Sequence, residues 1–145
     1  MKKSIAMLVM VGLVCSVSMP AFAIKQLSDQ FKEVYGPENK DVPAAFQQLV
    51  KDAACNVCHI KEKDKKKERN AYGSALHKAL EEAKFPVKDF QKDAKNEKYI
   101  AQLKEIFKKV GEQKAGGTDK TFTERIKAGE LPGGDKEGKG LPEAK

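Results

Sequence analysis

Cys55, Asn56, Val57, Cys58 and His59 form a complete C-x-x-C-H run. This is the attachment pattern of c-type haem. Each thiol adds across a haem vinyl group to give a thioether. Two intervening residues match the separation of the vinyls when the backbone is helical. The next residue then presents an imidazole to the iron from the same side, and histidine is a normal proximal ligand. The run predicts one covalently bound haem c, attached at Cys55 and Cys58 and ligated on iron by His59.

Other uses of the pattern fit less well. A thioredoxin-like C-x-x-C sits in a βαβ context, and no segment here alternates convincingly as a strand. A structural zinc site takes four ligands. Cys55, Cys58, His59 and His77 supply that number, but His59 directly follows Cys58 and the gap to His77 is long. A plain disulfide between the two cysteines is the remaining alternative for an exported chain.

Export is itself legible. Lys2 and Lys3 precede an apolar stretch from Ile5 to Val17, and Ala21-Phe22-Ala23 is a small-x-small cleavage site. Residues 1–23 therefore read as a signal peptide. The apolar run is short for a membrane span, so no span is expected after cleavage. An uncleaved anchor is the alternative. A lipid anchor at Cys15 lacks the small residue expected beside it. Removal of the leader leaves a basic chain of roughly 120 residues, enough for one domain with a modest core. It also removes Cys15 and all four methionines, Met1, Met7, Met10 and Met19.

That loss bears on the far side of the iron. Neither a distal methionine nor a spare cysteine remains. His77, a lysine, another nitrogen, water or an empty position stay open. His77 is the second of the two histidines. It falls on a helix flank with Gly73, Leu80 and Lys84, away from the centre of the apolar stripe. Two imidazoles give a low-spin haem of lower potential than a His/Met pair, suited to electron transfer. An open or displaceable position admits NO or CO. A haem enzyme needs a distal acid–base group as well. No residue stands out for that role, so a non-enzyme is expected.

The elements that must hold these residues read as helical throughout. Leu27, Phe31, Val34 and Tyr35 mark a first helix, stopped by Gly36-Pro37. Pro43 suits the first turn of a second, with Phe46, Leu49, Val50 and Ala53 leading into Cys55. Asn70 can cap a third, with Ala71, Tyr72, Ala75, Leu76, Ala79, Leu80 and Ala83 along one side. Val87 and Phe90 suggest a short connecting helix. Asn96 can cap the longest one, striped by Tyr99, Ile100, Leu103, Ile106, Phe107 and Val110. Thr121 to Glu124 matches a capping box before Phe122 and Ile126. The expectation is a small all-α, cytochrome c-like domain of four or five helices around one haem, over residues 24–132. A polar tail over 133–145 is expected to be disordered. Phe46, Tyr72, Gly73 and Leu76 are candidates for packing on the porphyrin, though Phe46 and Tyr72 serve equally well as core.

Charge points to a protein partner. Residues 61–69, KEKDKKKER, carry six basic and three acidic residues and no apolar one. They read as a solvated loop, or as a surface that steers an acidic redox partner. Local balancing acids and the export signal argue against nucleic acid.

The haem motif together with Arg69-Asn70-Ala71-Tyr72-Gly73-Ser74-Ala75-Leu76 resembles a group of small monohaem cytochromes c of planctomycete type. In that group a lysine-rich loop separates C-x-x-C-H from R-N-A-Y-G-x-A-L. The run from Thr121 to Gly133 resembles the group's C-terminal motif. The resemblance spans about Phe46 to Gly133, and the group includes the heterodimeric NaxLS-type cytochromes c of anammox bacteria. It implies a homo- or heterodimer with closely placed haems, a low potential, binding of NO or CO, and a periplasmic or anammox-type internal compartment. Those cytochromes pair histidine with cysteine on iron. This chain departs from them there, because no third cysteine survives cleavage.

Overall fold

Apolar residues spaced three and four apart give each helix one face to bury. The computed structural model describes residues 25–62 and 68–142. The expected signal peptide, the centre of the lysine-rich segment and residues 143–145 lie outside the described residues. The described residues form six α-helices: α1 (Lys25–Val34), α2 (Ala44–Ala53), α3 (Ala71–Glu82), α4 (Val87–Lys92), α5 (Glu97–Gly111) and α6 (Phe122–Lys127). A 3-10 turn, Ala54–Val57, continues α2 directly. The described residues contain two isolated bridges, His59 with Arg69 and Lys114 with Thr121, outside any strand. The all-α expectation stands. The helix count exceeds four or five because the segment after Pro86 closes a helix of its own.

Side-chain caps set several starts. Asn70 accepts from the Gly73 N–H at the head of α3, and Asn96 accepts from Lys98 N–H at the head of α5. Thr121 and Glu124 bond each other's backbone in a complete capping box on α6. Each bond satisfies a donor that the first helical turn leaves unpaired.

The core is the meeting of these faces. α5 packs chiefly across α3 and also meets α1 and α6. Phe31 of α1 stands edge-on to Tyr72 of α3 (5.6 Å between centroids) and to Phe107 of α5 (6.0 Å). Tyr72 in turn meets Phe122 of α6 edge-on at 5.2 Å. Such pairs add about 0.5–1.5 kcal/mol each beyond their burial. Phe85 closes a second group with Phe90 and Tyr99 beneath α4.

The polar segment after Pro132 departs from the expected disorder. Its described part, through Pro142, folds back on the body. Asp135 Oδ1 accepts from the Glu137 N–H (2.8 Å) and the Lys139 N–H (2.9 Å), closing a tight loop. The Glu137 carbonyl accepts from the Lys61 N–H at 2.8 Å. Pro132, Gly133 and Gly138 are buried. Directed hydrogen bonds hold this loop, and composition does not register them.

Asn70 is 2% exposed. Besides capping α3 it donates from Nδ2 to the Asn56 carbonyl (3.0 Å) and the Val57 carbonyl (3.1 Å). Asn70→Ala removes a cap and strands buried acceptors, so a loss of roughly 2–4 kcal/mol is expected. Thr121→Ala, at the exposed box on α6, should cost about 1 kcal/mol. Urea unfolding of both variants measures the difference.

Candidate haem-attachment site

The site begins where α2 ends. Ala54 adopts φ 48° and ψ −114°, and its N–H still bonds the Val50 carbonyl. A non-glycine residue at positive φ costs about 1–3 kcal/mol. That kink turns the chain into the 3-10 segment, where Cys58 N–H and His59 N–H both reach the Cys55 carbonyl, at 3.3 and 3.1 Å. Side chains three apart eclipse in a 3-10 turn. Cys55 lies within this turn and Cys58 follows as its C-cap, while Val57 between them is buried. Both thiols are free.

The two sulfurs are not equivalent. Cys55 is exposed and Cys58 is half-buried. Protein surrounds the Cys58 thiol, and burial pushes its pKa up to about 12. The neighbouring Cys55 adds to the rise, and the Arg69 guanidinium opposes it.

α3 presses on the back of the motif. The Asn70 N–H donates to the Cys58 carbonyl at 3.1 Å, complementing its side-chain bonds to Asn56 and Val57. A methyl group on Gly73 would collide with the same Cys58 carbonyl. Gly73, a candidate for packing on the porphyrin, lies against motif backbone on this side. Phe46 and Tyr72 are fully buried and Leu76 nearly so, all in the one hydrophobic core.

His59 is oriented from its back. Its Nδ1 lies 3.2 Å from the Glu68 carbonyl oxygen. A carbonyl can only accept, so Nδ1 carries the proton and the lone pair sits on Nε2. This is the tautomer a metal-bound imidazole needs. His77 has a parallel arrangement on α3: its Nδ1 lies 3.5 Å from Glu81 Oε2, four residues on. Gly73 and His77 share a helix face. His77 thus stands one turn from the place where α3 touches Cys58.

Several alternatives lose ground on this geometry. No three His, Cys, Asp or Glu side chains among the described residues group so as to hold a bare metal ion. Cys55, Cys58, His59 and His77 are therefore not assembled as a four-ligand zinc site. Two surface clefts, of about 730 and 350 Å³, lie elsewhere, along α3 and α5, and touch none of the motif residues. Of the lysine-rich segment, Lys61 pairs with Glu137 at 3.2 Å. No helix among the described residues is long and apolar enough to cross a membrane.

The residues present suit a covalently held haem. Two free thiols lie three residues apart on one turn, and the following imidazole carries its proton on Nδ1. The Tyr72 hydroxyl and Asn56 Oδ1 are buried without a hydrogen-bond partner among the described residues, so polar capacity is left unused beside the motif. Tyr72 lies near enough to Cys58 that a charge there raises the phenol's pKa, after burial and Tyr35. Sequence reasoning missed Asn70 as a clamp on the motif and Glu68 as an acceptor. The first had a signal, an asparagine just past the motif loop; the second has none, since every residue carries a carbonyl.

The raised Cys58 pKa has a pH consequence for the haem-free polypeptide. An unfolded cysteine ionises near pH 8.5, whereas the folded Cys58 keeps its proton to about pH 12. The unfolded chain thus binds fewer protons in that window, and stability falls as pH rises from about 8.5 toward 12. Cys58→Ser should flatten this decline in pH-dependent urea midpoints. No family model, no curated protein and no solved structure matches the chain.

Proposed function

We propose that this chain is an exported monohaem c-type cytochrome that carries electrons at low potential, with His59 and His77 on the two sides of the iron. The observation that carries the reading is the motif's local geometry. Cys55 and Cys58 sit on a 3-10 turn and its cap, and the contact to the Glu68 carbonyl puts the His59 proton on Nδ1. A bound haem supplies a one-electron iron couple.

The chain's own residues do the rest. Cys55 and Cys58 anchor through thioethers. Glu68 fixes the ring plane of His59 and, by accepting its Nδ1 proton, strengthens Nε2 as a donor. Glu81 acts likewise on His77, with the added charge of a carboxylate. Stronger donors on both sides favour the oxidised iron and so a low potential. The second reading, reversible binding of NO or CO, draws on His77 itself. Its side chain is 37% exposed and its contact to Glu81 is long at 3.5 Å. A ligand so loosely held is displaceable. An acidic redox partner and a homo- or heterodimer complete the proposal; the dimer rests on the resemblance to the planctomycete-type group.

Expression with a c-type maturation system tests both readings. The pyridine haemochrome spectrum should report two thioethers, reduced to one in Cys55→Ser or Cys58→Ser. A haem-free wild-type product would overturn the cytochrome assignment. His77→Ala should turn a low-spin spectrum into one whose Soret band shifts readily with CO. Identical spectra in variant and wild type would remove His77 from the iron.

A further inference from the structure

We propose that the loop around Gly138 is a positioning element for His59, setting how firmly that imidazole is held toward the iron. This rests on the cytochrome reading above. Residues 135–139 close on themselves through Asp135 and then bear on the motif, at its Asn56 and His59 carbonyls. The Lys136 carbonyl accepts from Asn56 Nδ2 at 3.3 Å. The Glu137 carbonyl accepts from the N–H of Lys61, two residues past the histidine, at 2.8 Å. Gly138 sits so close that a methyl group there would meet the His59 and Asn56 carbonyl oxygens.

His59 is thereby fixed at two places by two different segments. The Glu68 carbonyl holds its ring, and the 135–139 loop holds its backbone. Fixing the ring alone leaves the Cα free to shift; fixing the backbone alone leaves χ2 free. Together they define one direction for Nε2. The ion pairs at this contact, Lys61–Glu137 and Lys136–Asp52, are exposed at 3.2 Å each, and such pairs contribute at most about 1 kcal/mol. The steric fit at Gly138 and the backbone bonds therefore set the position. Partners that orient a metal ligand from behind typically change metal affinity by about 10–100-fold when lost.

Two glycines of this loop allow a clean test. Gly138 has φ +72° and Gly140 has φ +98°, so alanine is strained at either, yet nothing lies near a methyl group on Gly140. In the haem-loaded His77→Ala protein, Gly138→Ala should shift the iron–His59 stretching band in the ferrous resonance Raman spectrum. It should also raise the ratio of five- to six-coordinate nitrosyl haem by roughly tenfold, since NO binding breaks a weakly held iron–His59 bond. Gly140→Ala in the same background should leave both readings unchanged. Asp135→Ala loosens the same loop without a collision, and should move both readings the same way by less. If Gly138→Ala and Asp135→Ala both match Gly140→Ala while haem is attached, the positioning role is overturned. If wild type takes up no haem, the cytochrome reading falls first, and this inference with it.

Discussion

A buried amide has to find partners for all its polar atoms or it destabilises the fold by several kcal/mol. Asn70 meets that constraint by joining two things that sequence keeps apart. Its side chain caps α3 through Gly73, and binds the Asn56 and Val57 carbonyls of the motif turn. Its own N–H takes the Cys58 carbonyl. The close approach of Gly73 to Cys58 follows from this tether. So does the position of His77, one turn along the same helix. Gly133 seals the arrangement from outside, since any side chain there would strike the asparagine.

The two histidines are backed by acceptors of different kinds. The Glu68 carbonyl is part of the main chain, neutral, and fixed by the bridge between His59 and Arg69. The Glu81 carboxylate is charged, on a flexible and largely exposed side chain. Arg69 also draws on it, since Glu81 supports the charge of that partly desolvated guanidinium. One imidazole is thus held rigidly and the other through a shared, yielding contact.

Much of this was legible from residue order. Leu103, Phe107 and Val110 announced the buried face of α5, and Asn70, Asn96 and Thr121 announced three helix starts, because periodicity and capping are local rules. What stayed hidden depended on contacts between distant segments. The contact of Gly73 with the Cys58 carbonyl leaves no mark in sequence, because the two meet only across space. The loop beyond Pro132 read as disorder because its glycines and charges bury little surface. Its order comes from Asp135, whose carboxylate organises two backbone N–H groups, and from fit against a turn far away.

That distance has a consequence for the order of events in time. The bond from Asn56 to Lys136 spans 80 residues, and the ion pair from Asp52 to Lys136 spans 84. Contacts of such long range form late, because the entropy of closing the intervening chain is lost before the contact repays it. A polypeptide made from its N-terminus also delivers Lys136 after the motif and all the helices described here. The turn at residues 54–57 is built from local contacts, so its fastening by residues 135–139 comes after it has formed.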